Sequence, residues 1–349
     1  MIRVDQLSVR LGEFTLGPID LQVGDGEYFA VVGPTGSGKT MLLETLAGIH
    51  LPRSGRIEFH GRDVTNLPPE RRDVGFVYQR SMLFPHLSVR DNILYGLRYR
   101  RASQDERERR LADLAELLGI GYLLERSVDG LSGGESQKVA LARALAIQPS
   151  VLFFDEPMGP LDQSSKEALR EELKRLHKRL PTTTLHVEHD RDTAFMLGDR
   201  IGVMNHGIIE QAGTADELVN RPNTEFVARF LGTENVFRAE SRSDGDGSVV
   251  TLACGQVRSN CKRSGEVAMC LHGERIAILP QPAANRDANQ VQGVVDEALM
   301  QHAVVIVSVR TAAERFVVHR PPDEAVPSVG TTVWLAFRPE DVHLADPSP

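Results

Sequence analysis

The chain has 349 residues, 41% of them hydrophobic, enough for about two domains of ordinary size, each with its own core. Forty Lys and Arg against forty-eight Asp and Glu leave a net charge of −8, so composition offers no basic field for gripping nucleic acid or an anionic bilayer. No apolar run approaches the ~20 residues needed to span a membrane, and the start, MIRVDQLSVR, lacks the apolar core of a secretory signal, so the chain is expected to stay in the cytosol.

In chain order, IRVDQLSV and FTLGPIDLQV read as strands. The apolar run YFAVV then breaks into a Gly-rich turn and the helical stretch TMLLETLAGI. GRIEFHG and DVGFVYQ are strand-like, and from LFPHLSVRDNILYGL through RRLADLAELLGI helical periodicity marks an inserted subdomain over about residues 84–150. VLFFDEP is a wholly apolar strand ending in two carboxylates, the pattern of a central parallel strand buried on both faces. The amphipathic KEALREELKRLHKRL follows, then the strand TTTLHVEH, and this alternation predicts an α/β layer architecture.

After about residue 235 short β-like runs take over, predicting small β-barrels. The Pro/Asn-rich PQPAANRDANQ divides them into halves, 235–284 and 290–346, that close on comparable phrases, ERIAIL and EDVHLA, as in a duplicated module. The three cysteines, Cys254, Cys261 and Cys270, match no common zinc spacing and read as free thiols, with a redox or metal role as the alternative.

The chemistry starts at Gly33, Pro34, Thr35, Gly36, Ser37, Gly38, Lys39 and Thr40, which fit G-x-x-x-x-G-K-[ST] between a strand and a helix. Small residues let the backbone N–H groups and the helix N-terminus point at phosphates. Lys39 is expected to neutralise the β/γ oxygens, and the Thr40 hydroxyl can ligate Mg²⁺. Asp155 and Glu156 end the apolar strand where open α/β sheets place their ligand crevice. Asp155 is expected to hold the Mg²⁺ shell, while Glu156, turned the other way by the pleat, polarises an attacking water. LSGGESQ, at residues 131–137, leads into a helix. Alone it could also be an ordinary Ser N-cap with a flexible approach, the lesser of the two readings.

In order with GPTGSGKT and VLFFDEP, that segment resembles the ATPases of ABC transporters over about residues 1–235. The resemblance implies a homodimer in which Ser132, Gly133, Gly134 and the D-loop Asp162 complete the site of the other subunit. It further implies that Gln79 reaches Mg²⁺ and the water, and that His189 contacts the γ-phosphate and the catalytic carboxylate. The sequence departs from the family at Glu188, where Thr is usual before the histidine, and at Gly159-Pro160 in the D-loop. Phe14 is the candidate for stacking on adenine, Leu11 being no aromatic. If residues 183–189 are a strand, alternation points Glu188 away from His189.

The tail, 235–349, resembles the all-β, OB-like regulatory domains of importer ATPases, with FRPEDVHL its most characteristic phrase. Asn289, Gly293 and Val295 are similar to the core motif of molybdate-binding barrels. That implies a peripheral subunit on the cytoplasmic face of the membrane, serving two membrane-spanning permease subunits and an extracytoplasmic substrate-binding protein. Molybdate or tungstate would be the cargo and an oxyanion a ligand of the tail. Sulfate, iron, polyamines or sugars as cargo, and a tail that only dimerises, stay open. A soluble ABC ATPase acting on ribosomes or DNA is disfavoured, since the chain has one cassette and no basic patch.

Overall fold

A computed structural model describes residues 1–100, 102–180, 182–283 and 287–348. The chain forms two compact units, Met1–Thr214 and Ala215–Pro349. The division falls earlier than the change of texture near residue 235, because helices Ala215–Asn220 and Glu225–Leu231 belong with the second unit.

The first unit contains two sheets. Phe14–Val23, Ile2–Leu11, Ser54–Phe59 and Arg62–Asp63 make an antiparallel sheet. The second runs Ile208–Gly213, Arg200–Asn205, Tyr28–Val32, Thr183–Glu188, Val151–Asp155, Val74–Val77, and all neighbours in it are parallel except the first pair. Its three central strands are buried throughout, as a sheet covered on both faces requires. Helix Lys39–Ala47 packs into the core with Ile2, Leu16, Phe29, Phe59 and Phe153. A second core gathers the helices of the inserted region, Val89–Leu94, Gln104–Leu117 and Gly133–Ala146, through Ile93, Leu111, Leu114 and Val139.

The second unit carries two five-stranded antiparallel sheets. In the first, Asn235–Asp244 pairs with Gly247–Leu252 and Gly265–Leu271. In the second, Asn289–Gln301 pairs in the same way with Val304–Arg310 and Thr332–Phe337. The duplication is therefore visible in the pairing, but the halves are not separate barrels. Ala277–Leu279, closing the first half, pairs with Thr332–Phe337, and His343–Ala345, closing the second, pairs with Gly265–Leu271. Each half lends its last strand to the other, and both sheets bury one core that includes Val250, Met269, Phe316, Val333 and Phe337. The middle of the Pro/Asn-rich linker lies outside the described residues.

Candidate functional site

The all-buried strand Tyr28–Val32 delivers the chain into the loop of residues 33–40, whose tip, Pro34, Thr35 and Gly36, is exposed. Gly36 and Gly38 take positive φ, 82° and 103°, and Gly38 caps helix Lys39–Ala47. The loop is held close: a Cβ on Gly33 would lie 2.1 Å from the Met204 carbonyl, and one on Gly38 would lie 3.0 Å from the Phe14 ring. Lys39 Nζ donates to the Gly33 and Pro34 carbonyls at 2.9 and 3.2 Å. Burial pulls the ammonium down from its ordinary range, and the charges of Glu156, Asp155 and Glu188 oppose that pull. The buried Ser37 hydroxyl finds no hydrogen-bond partner among the described residues.

Asp155 ends the neighbouring strand Val151–Asp155, and its Oδ1 accepts from Thr40 Oγ1 at 2.9 Å. Burial raises the Asp155 carboxyl above its usual range against the lowering effect of that bond, so its charge is under-compensated by protein groups. Glu156 is aimed by a left-handed backbone, φ 44°, rather than by the strand pleat, because the strand has already ended; its N–H donates to the Val187 carbonyl at 3.0 Å. Its Oε2 lies 3.5 Å from Gln79 Nε2 and 3.6 Å from His189 Nδ1. Phe14, Lys39, Thr40, Gln79, Glu156 and His189 line a common cleft of ≈ 750 Å³. Leu11 does not line it.

Ser132, Gly133, Gly134 and Asp162 are not among the residues lining this cleft. Ser132 opens helix Gly133–Ala146 with a full capping box: Ser132 Oγ accepts from Glu135 N at 3.2 Å, and Glu135 Oε2 accepts from Ser132 N at 2.8 Å. These bonds, led by the one from the Ser132 backbone, lower the Glu135 carboxyl, yet Ser132 and Gly133 stay exposed. Asp162 caps helix Gln163–Arg179. Hydrogen bonds from Ser164 and Ser165 hold its carboxyl well below the ordinary range. Leu161 packs on Gly133, where a Cβ would sit 3.0 Å from Cδ2.

Sequence reading missed Gln137 and His186 and misdirected Glu188. Gln137, the last letter of LSGGESQ, donates from Nε2 to the Gln79 carbonyl at 2.8 Å and to that of Tyr78 at 3.3 Å, fastening the helix to the loop that carries Gln79. Glu188 does not point away from its neighbour: Oε1 pairs with His186 Nε2 at 3.1 Å, and Oε2 lies 3.7 Å from His189 Nδ1. Alternation fails here because His189 is already outside strand Thr183–Glu188.

In the second unit, the barrel-motif residues have structural employment. Asn289 is buried and bridges both backbone groups of Arg258, Oδ1 accepting at 2.6 Å and Nδ2 donating at 2.9 Å. A Cβ on Gly293 would strike Val309 Cγ1 at 2.6 Å, and Val295 is core. A separate cleft of ≈ 430 Å³ is lined in part by Cys261, Cys270, His272, Arg275 and His343. No cluster of three or more His, Cys, Asp or Glu placed to hold a metal occurs among the described residues.

A phosphate loop on a parallel sheet, with a carboxylate, a glutamine and a histidine converging on its cleft, defines a P-loop nucleoside triphosphatase site. The ABC transporter family model matches residues 16–159, and the TOBE domain model matches residues 269–344. The molybdate/tungstate import ATP-binding protein of Pyrococcus horikoshii is 37% identical over 99% of both chains. A spermidine/putrescine import ATP-binding protein of Acidothermus cellulolyticus is 38% identical over 92% of this chain and 86% of its own. A sulfate/thiosulfate import ATP-binding protein of Vibrio cholerae is 45% identical over 68% and 65%. Among solved structures, the dimeric post-hydrolysis state of the ATP-binding cassette MJ0796, bound to ADP and phosphate, matches 61% of this chain and 98% of its own at 28% identity, TM-score 0.55. CbiO1 of Clostridium perfringens, part of an ABC transporter complex, matches 62% and 89% at 28% identity, TM-score 0.58. The chain belongs to the ATP-binding subunits of ABC transporters: an ABC ATPase unit with an inserted helical region, followed by an all-β TOBE unit. Among the described residues no helix is long and apolar enough to cross a membrane.

Proposed function

We propose that the chain energises a molybdate or tungstate importer, working as a homodimer on the cytoplasmic face beneath two membrane-spanning permease subunits that receive cargo from an extracytoplasmic binding protein. The observation that carries the hydrolytic reading is the convergence of Gln79 and His189 on Glu156 Oε2 at the mouth of the phosphate loop.

Lys39 and the backbone N–H groups of the loop after Pro34 cradle the β- and γ-phosphates, with Phe14 placed beside the loop to meet the base. Thr40 and Asp155 fit a Mg²⁺ ion, with Gln79 lining the same cleft: a hydroxyl, one buried under-compensated carboxylate and an amide oxygen suit a hard cation. Held there, such an ion would supply charge neutralisation for the phosphates. Glu156 takes a proton from water in line with the γ-phosphate, and His189 donates to the γ-phosphate while staying within reach of Glu156. Ser132 and Gly133, exposed at a helix start, and Gly134 beside them reach the γ-phosphate held by the other subunit, and Asp162 couples the two sites.

Glu156→Gln should abolish steady-state hydrolysis and trap an ATP-bound dimer, seen by size-exclusion chromatography; undiminished turnover removes Glu156 from this role. The cargo reading rests on likeness along nearly the whole chain to the Pyrococcus horikoshii protein. Calorimetric titration of molybdate, tungstate and sulfate into the purified chain tests whether the TOBE unit takes an oxyanion. Saturable binding of molybdate or tungstate supports the cargo class and feedback by it, and binding of sulfate alone redirects it. Silence leaves the tail a dimerisation scaffold, in keeping with the structural employment of Asn289.

A further inference from the structure

Beneath the cleft, a line of buried polar groups crosses the central strands. The Tyr28 hydroxyl lies 2.8 Å from His186 Nδ1, His186 Nε2 lies 3.1 Å from Glu188 Oε1, and Glu188 Oε2 lies 3.7 Å from His189 Nδ1. Tyr28, His186 and Glu188 are each 1% exposed or less. Burial, then the Glu188 charge, pushes the Tyr28 phenol well above its ordinary range, so the phenol stays protonated and donates. Its donation to Nδ1 leaves the His186 proton on Nε2, which donates to Glu188 Oε1. In that tautomer the Glu188 carboxylate is anchored by His186 through Oε1. Its free oxygen and Glu156 Oε2, at 3.7 and 3.6 Å, flank the same ring nitrogen of the otherwise half-exposed His189.

We propose that Glu188 is a positioning residue for hydrolysis: anchored through His186 and Tyr28, its carboxylate holds His189 by Nδ1 alongside Glu156 and frees Nε2 for the γ-phosphate. The proposal rests on the reading that His189 and Glu156 act at that phosphate. A carboxylate so close to an anion site disfavours nucleotide unless it serves another group; on the cleft side its charge acts on Lys39, and its Oε2 lies 3.7 Å from His189 Nδ1. The charged and titratable side chains around it are Lys39 from the phosphate-loop helix, Tyr28 and His186 from the strands, Asp155 and Glu156 from the adjoining strand end, and His189 itself.

The test is steady-state and single-turnover ATPase kinetics on the full-length chain and its Glu188→Gln, His189→Ala and double variants. Glu188→Gln keeps the volume and removes the charge. It should lower kcat about tenfold with KM for ATP within about twofold, and in the His189→Ala background its effect should shrink below about twofold, since both act as one unit. An unchanged kcat, or the same tenfold loss without His189, overturns the proposal. If Glu188→Gln does not fold, Glu188→Thr takes its place with the same two thresholds. The underlying reading fails separately: undiminished turnover in His189→Ala or Glu156→Gln removes those residues from the phosphate, whereas their loss of activity beside an unaffected Glu188→Gln removes only Glu188.

Discussion

Thr40 Oγ1 and Asp155 Oδ1 stand 2.9 Å apart across the joint between the phosphate-loop helix and the end of the adjoining strand. The bond joins a loop to a strand more than a hundred residues away in sequence, and it leaves the carboxylate buried with too little positive charge around it. The proposed cation site would account for these traits: a buried carboxylate that costs stability in the free protein would meet its charge partner in the ion.

Asp155→Asn should therefore separate function from stability. Hydrolysis is expected to fall ~10²-fold or more, because a Mg²⁺ ion held as proposed would lose its anionic ligand. Thermal stability of the nucleotide-free protein at pH 7 should rise. The sign follows from linkage: the folded carboxyl titrates above its unfolded value, so Asp155 favours folding when protonated and loses that contribution as pH rises through the folded pKa. The gain in Tm should shrink as pH is lowered toward 4. A variant less stable at pH 7 than at pH 4, relative to wild type, contradicts this account.

The cysteines differ sharply in expected reactivity. The hydrogen bond to His343, at 3.5 Å from Sγ to Nδ1, is the largest influence lowering Cys261, to about 7, while burial pushes Cys254 and Cys270 up to about 12. Iodoacetamide at pH 8 should alkylate Cys261 alone in the folded protein, with its rate falling about tenfold per unit below pH 6. Peptide mapping after a timed quench reads this directly. Labelling of all three at equal rates would show that the His343 contact does not form in solution.

Gln137 carries a third prediction. Its amide ties helix Gly133–Ala146 to the Gln79 loop, so the segment expected to reach the partner's nucleotide and the loop expected to reach the metal move together. Gln137→Ala should leave ATP affinity within about twofold and lower kcat several-fold, since binding groups are untouched but their mutual placement is loosened. Fluorescent-nucleotide titration beside steady-state turnover separates the two. A change confined to affinity would assign Gln137 to binding instead.

How far the sequence led differs by element. The phosphate loop, the carboxylate pair and the capped helix at Ser132 were legible because each needs fixed residue types at fixed short spacing, between elements whose periodicity is strong. The Glu188 side chain was misdirected because alternation holds only inside a strand, and the strand stops one residue before His189. Gln137 and His186 gave no signal: their partners are a backbone carbonyl and a tyrosine brought close only by packing. In the tail, duplication could be read from ERIAIL and EDVHLA. The exchange of closing strands could not, since three-residue strands carry too little pattern to choose a partner.

That exchange is supported by a pair of equivalent asparagines. Asn235 opens the first half and Asn289 the second. Asn235 Nδ2 donates to the Val317 carbonyl at 2.8 Å and its Oδ1 accepts from Val317 N at 2.7 Å, while Asn289 does the same at Arg258. Each asparagine thus replaces a missing rung between the two halves, satisfying an N–H and a carbonyl that strand pairing leaves over. Truncating either to alanine leaves those part-buried groups without their side-chain partner, at a cost of at most about 1–3 kcal/mol. Because both halves share one core, the loss should lower the melting of the whole Ala215–Pro349 unit as a single transition rather than splitting it in two. Calorimetry of full-length Asn235→Ala and Asn289→Ala should therefore show similar shifts of one transition, with nucleotide binding by the first unit intact. Two resolved transitions for the halves would mean that they fold independently, against the exchanged strands.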